Sequence, residues 1–125
     1  MFHASDDEIW FLEFTANKVG RFDRHTETFQ EFPLPVGGCT QPPVVRAETK
    51  NSDGSTTLWF ACTTSSSIGS INTETHAISN YPAPNAPTET VEVAQDQAGD
   101  VWATHILQNS LGVSDHAHGQ CDCSC

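Results

Sequence analysis

Three side chains of different chemistry each follow a tryptophan at the same interval: Glu13 after Trp10, Cys62 after Trp59 and His105 after Trp102. A carboxylate, a thiol and an imidazole brought to one place would suit a transition metal. Glu13 and His105 are the candidate metal ligands. The plainer alternative is that such positions are solvent-lined and hold no ion. Cys121, Cys123 and Cys125 follow His116 and His118, a soft-metal composition. Their spacing lacks the Cys-x-x-Cys knuckle of structural zinc, and a tail without function is the simpler reading. Cys39 and Cys62 complete the five cysteines. A bridge between them is one pairing open to a secreted chain. His25 and His76 fall in polar turns and are expected to face solvent, with His3 in a surface turn. The chain has no Gly-rich phosphate loop, Gly-x-Ser-x-Gly elbow or His-Glu-x-x-His motif.

Charge bounds the partners. Five basic and sixteen acidic residues give a net charge of −11 over 125 residues. Nucleic-acid binding needs a basic patch that releases phosphate counterions, so that class is excluded. Docking on an anionic membrane is disfavoured for the same reason. No apolar run approaches the roughly 18 residues of a membrane span. Residues 1–15 carry four acids and no Lys or Arg, the reverse of a secretory leader. The compartment, cytoplasmic or secreted, is left open.

Positioning these side chains is the work of a repeat. Ile9-Trp10-Phe11-Leu12-Glu13, Val19-Gly20-Arg21-Phe22-Asp23, Thr26, Phe29 and Phe32-Pro33-Leu34-Pro35 recur 49 residues later. The second copy reads Leu58-Trp59-Phe60-Ala61-Cys62, Ile68-Gly69-Ser70-Ile71-Asn72, Thr75, Ile78 and Tyr81-Pro82-Ala83-Pro84. A third begins at Val101-Trp102-Ala103-Thr104, 43 residues after the second, with Gly112 ten residues past its Trp as Gly20 and Gly69 are past theirs. Asn109 and Asp115 match Asn17 and Asp23. About six extra residues therefore lie between Val36 and Leu58, and the turn at 50–55 is the natural place for them.

Each unit reads as short strands with no helical apolar stripe. Residues 8–14 and 57–63 are inner strands, 19–22 and 68–71 follow, and 28–32 and 77–81 come third, with Phe29, Phe32, Ile78 and Tyr81 facing in. Val44-Val45 and residues 90–93 are read as fourth strands. Four strands per 43 to 49 residues, each unit marked by a Trp, is the period of a β-propeller blade. The expected fold is all-β, with blade repeats near 8–47, 57–93 and 101–115. These make a partial propeller over 1–115 and leave 116–125 as a divergent Cys/His-rich tail. About two and a half blades cannot close a ring as a monomer, so the chain reads as a truncated product or fragment. Open blade edges offer a route to self-association.

The run Ile9-Trp10-Phe11-x-Glu13-Phe14-x-x-Asn17-Lys18-Val19-Gly20-Arg21-Phe22-Asp23, ending in Phe32-Pro33-Leu34-Pro35, resembles the blade repeat of the virginiamycin B lyase (streptogramin lyase) family. The resemblance runs from Ile9 to Asp115. It implies a seven-bladed type of propeller, with NHL-type and SMP-30/gluconolactonase-like propellers as neighbouring families. The activity it implies is a magnesium-assisted elimination that opens the lactone ring of a cyclic depsipeptide. The metal polarises the ester carbonyl and a neutral imidazole removes the adjacent proton. The family pattern places its general-base His in a Glu-x-His segment and a metal-holding Glu after Trp-Phe. Glu13 fills the latter position, while Cys62 and His105 replace it in the other units. Pro43 and Thr88 stand where the His would be. The resemblance thus implies a lyase-like chain without the full catalytic set. Its alternatives are a non-catalytic binding or scaffold propeller and a lactonase relative, with a small molecule or cyclic peptide as ligand.

Overall fold

The computed structural model describes residues 2–4, 7–83, 89–107, 110–114 and 121–124, with backbone alone for 2–4 and 121–124. The described strands are β1 (Phe2–Ala4), β2 (Glu8–Glu13), β3 (Lys18–Asp23), β4 (Thr28–Pro33), β5 (Val45–Lys50), β6 (Thr56–Cys62), β7 (Ser67–Asn72), β8 (Ile78–Pro82), β9 (Thr90–Gln95), β10 (Val101–His105), β11 (Ser110–Ser114) and β12 (Cys121–Ser124). They form three four-stranded sheets, ordered β1-β2-β3-β4, β5-β6-β7-β8 and β12-β11-β10-β9. All pairings given are antiparallel between chain neighbours. This is the blade architecture of a partial propeller, all-β as the repeat requires.

The grouping of strands differs from the sequence reading by one. Val45 begins β5, which pairs with the Trp59 strand rather than closing the first unit. Residues 90–95 likewise open the third sheet against the Trp102 strand. The Trp strand is therefore second in each sheet, and the blade bounds near 8–47, 57–93 and 101–115 move with it. Val44-Val45 looked terminal because an apolar pair carries no mark of which neighbour it bonds. The tail is not wholly outside the repeat: Cys121–Ser124 pairs with β11 and makes the third sheet four-stranded. His3 lies on β1, opposite Trp10, and not in a turn. The extra length near residue 50 sits in the arms of a hairpin, not in its turn. Asn51 N donates to Ser55 O, and Asp96 N to Asp100 O, across turns of the same size.

The second sheet is covered on both faces. Side chains alternate along a strand, so β6 sends Leu58, Phe60 and Cys62 to one side and Trp59 and Ala61 to the other. The first set packs with Trp10 and Val19 of the first sheet. The second packs with Val93, Val101 and Ala103 of the third. That is why β6 and β7 are buried almost without interruption, while β2 buries Trp10 alone. Phe29 and Phe32, three residues apart, point to opposite faces. Phe32 stacks on Trp10 at 5.6 Å, but Phe29 is 71% exposed, contrary to the expectation that both face in.

The Trp-Phe pair and the glycine ten residues beyond it share one cause. Gly20 is the cross-strand partner of Phe11, and Gly69 of Phe60. A Cβ at Gly20 would lie 2.3 Å from the Phe11 ring, and one at Gly69 would lie 2.2 Å from the Phe60 ring. The ring lies flat over the opposite strand, and only glycine leaves room for it. Gly112 faces Ala103, which has no ring to seat.

Candidate functional site

The three Trp-bearing strands end at Glu13, Cys62 and His105, and the structure gives these positions three different fates. Cys62 is fully buried and bonded to Cys39, with Cα atoms 5.0 Å apart. A sulfur committed to a disulfide is not a thiolate ligand. The bridge joins the segment between the first two sheets to the end of β6, inside the shared core. His105 is 2% exposed, and its Nδ1 lies 3.1 Å from Oγ1 of the buried Thr90. Burial holds its imidazole below the ordinary 6.5, so it is neutral near pH 7. Glu13 is half-buried at the end of β2, opposite Lys18. Lys18 is raised mainly by its 2.6 Å hydrogen bond to Glu31, with Glu13 contributing to the field.

Among the described residues, no group of three or more His, Cys, Asp or Glu side chains is arranged to hold a metal. The described donors at the three strand ends, one carboxylate, one disulfide sulfur and one buried imidazole, do not fit magnesium, which takes several oxygen ligands. Pro43 is half-buried in the segment before β5. Thr88, Asn109, Asp115, His116, His118 and Cys125 lie outside the described residues, as do the side chains of His3, Cys121 and Cys123.

At the opposite end of the strands, Asp7, Glu8, Trp10, Lys50, Thr56, Thr73 and Glu74 line a cleft of about 270 Å³ between the first two sheets. Its polar groups largely serve the fold. Glu8 accepts from Trp10 Nε1 at 2.9 Å and from Arg21 Nε at 2.8 Å. The other two indoles are held likewise: Trp59 Nε1 donates to Thr49 Oγ1, and Trp102 Nε1 to Asp96 Oδ2, both at 2.9 Å. His25 is exposed and pairs with Asp7 at 2.6 Å. His76 is not free in solvent, because its ring packs 4.5 Å from Phe32 and 6.1 Å from Trp10.

Asn17 and Ser66, 49 positions apart, carry a role that the residue types did not announce. Both sit at positive φ, 53° and 52°. Asn17 O accepts from Leu34 N at 3.0 Å, and Ser66 O from Ala83 N at 2.9 Å. Their side chains accept from the segment entering the next sheet: Asn17 Oδ1 from Gln41 N at 2.7 Å, Ser66 Oγ from Glu89 N at 3.2 Å. Each residue ties the exit of its own sheet to the entry of the following one. The one sequence signal was their equal place in the repeat, since an amide and a hydroxyl share only the ability to accept here.

A search of curated proteins gives no significant match. Among solved structures, the chain is similar to the virginiamycin B lyase from Staphylococcus aureus, determined with selenomethionine, at 24% identity and a TM-score of 0.73. That similarity covers 98% of this chain and 39% of the lyase. A streptogramin B lyase structure is similar at 21% identity and a TM-score of 0.70, covering 96% of this chain and 37% of that one. At these identities the likeness shows the fold, and this chain spans well under half the length of either. The family model described as the virginiamycin B lyase family matches residues 1–121, and the chain belongs to that family.

Proposed function

We propose that this chain is a lyase-family propeller segment that builds and presents blades but does not by itself open a cyclic depsipeptide. The observation that carries this reading is the fate of the positions at the ends of the three Trp-bearing strands. One is a disulfide cysteine, one is a buried histidine against Thr90, and Glu13 alone offers a partly exposed carboxylate. An elimination needs a base that can reach the proton beside the ester carbonyl, with charge stabilisation at the carbonyl oxygen. A buried His105 supplies no such reach, and a lone carboxylate is too few ligands for magnesium.

The test is incubation of the purified chain with a cyclic depsipeptide and magnesium, followed by chromatography and mass spectrometry. Intact substrate is the expected result. A ring-opened product of unchanged mass would be elimination and would overturn the reading. A product heavier by one water would be hydrolysis and would favour the lactonase alternative.

A further inference from the structure

We propose that the Cys39–Cys62 bridge is a redox clamp on the crossing from the first sheet to the second, one that a dithiol reductant opens while the sheets stay folded. Both cysteines are buried, at 1% and 0% exposure, in the core shared by Trp10, Val19, Leu58 and Phe60. A reductant thiolate must reach a sulfur, so part of the chain has to move first. The segment around Cys39 is the part that can. Pro35, Val36 and Gly37 are exposed, and a turn closes from Gly38 N to Pro35 O at 3.0 Å. Among the described residues, that internal bond is the one hydrogen bond made by residues 35–39. The anchors lie just outside: Leu34 N on Asn17 O and Thr40 N on Ser65 Oγ, both at 3.0 Å. Lifting the short stretch between them exposes far less apolar surface than parting the sheets, so it opens at lower cost than global unfolding.

The bridge ends where two crossings meet. Cys62 closes β6, and the turn at 63–66 follows it. That turn holds the first crossing through Ser65 and through Thr64, whose Oγ1 donates to Gln41 Oε1 at 2.5 Å. It holds the second crossing through Ser66, which accepts from Ala83 N and Glu89 N. Reduction therefore frees Cys39 and loosens the turn on which both crossings rest. The sheets keep their packing without the bridge, because Phe32 still stacks on Trp10 and Leu58, Phe60 and Ile71 stay in the core. In the exchange, a thiolate of the dithiol attacks one sulfur and the Cys39–Cys62 bond breaks. The second thiol of the reagent then resolves the mixed disulfide. Two electrons and two protons pass to the cysteines, which become thiols, and the dithiol becomes a cyclic disulfide.

The proposal is independent of the proposed function, because no readout of its test involves ring opening. The folded chain is incubated with dithiothreitol at urea concentrations below the unfolding transition and then alkylated. Digestion after acidic residues places Cys39 and Cys62 on separate peptides, apart from the cysteines at 121–125. Both are expected to be alkylated at a rate nearly independent of urea, since the slope follows the surface exposed. Ser65→Ala removes the anchor of Thr40 N and is expected to raise that rate about fivefold. After reduction, deuterium uptake is expected to rise at 34–44 and 63–66 and to stay low in β7. A reduction rate whose urea slope equals that of global unfolding would overturn the proposal. So would a Ser65→Ala variant reduced no faster, or uptake that reduction leaves unchanged.

Discussion

His105 is the residue whose environment has the clearest consequence for stability. Its imidazole is buried against Thr90, and burial holds its pKa below 6.5. In the unfolded chain it takes up a proton as pH falls through about 6.5, while the native state does not. The contribution of His105 to native stability is therefore flat above that range and declines as pH drops from 6.5 toward the lowered folded value. Urea titrations at about pH 7.5 and pH 5 should show this decline, and His105→Gln should remove that part of it. The turn carboxylates act in the same direction at lower pH. Asp23 accepts from Thr26 N and His25 N, and these bonds lower its pKa. Asn72 makes the same pair of bonds to Thr75 N and Glu74 N without a charge. Gly69→Ala should cost about 1–3 kcal/mol, because the fully buried Phe60 ring cannot move aside. Gly20→Ala should cost less, since Phe11 lies on the open face and can tilt into solvent. Thermal melts of the two variants give the comparison, and equal losses would contradict it.

Among the elements, the connections between sheets deserve as much weight as the strands. The segment from Leu34 to Val44 crosses from the first sheet to the second without regular structure. It is held by Leu34 N on Asn17 O, Thr40 N on Ser65 Oγ, Gln41 N on Asn17 Oδ1, Thr64 Oγ1 on Gln41 Oε1, and Cys39 on Cys62. The disulfide closes a loop of sequence separation 23, for which chain entropy predicts about 3 kcal/mol. Replacing both cysteines by alanine should lower the urea midpoint accordingly, with the denaturant slope rising as the unfolded chain expands. A change below about 1 kcal/mol would mean that the hydrogen bonds alone fix the segment. The second crossing, into β9, has no such bridge among the described residues and relies on Ser66 Oγ and Ser66 O.

For the whole molecule, charge and packing pull in opposite directions. A net charge of −11 on 125 residues repels the sheets from one another and repels one copy from the next. The contacts that oppose this repulsion are apolar and insensitive to screening. Raising salt from about 0.05 M to 0.5 M should therefore raise the melting temperature. A fall in melting temperature with added salt would show that ion pairs such as Arg46–Glu92, at 2.8 Å between the second and third sheets, dominate instead.

The sequence by itself determined the repeat, and through it the class of fold. A Trp-Phe pair with a glycine ten residues on is written into the chain because a ring must lie on the facing strand. It also marked Glu13, Cys62 and His105 as equivalent. What it could not carry was which strand bonds to which neighbour, since Val44-Val45 is equally apolar at the end of one sheet or the start of the next. Nor could it tell a buried phenylalanine from an exposed one: Phe29 and Ile78 hold the same place in the repeat, and only Ile78 has a sheet packed over it. The fates of the three equivalent positions were likewise decided in three dimensions. Cys62 found Cys39 across 23 residues, and His105 found Thr90 on a neighbouring strand. Strand pairing within the third sheet sets His105 opposite Thr90, and the crossing between the first two sheets brings Cys39 to the end of β6.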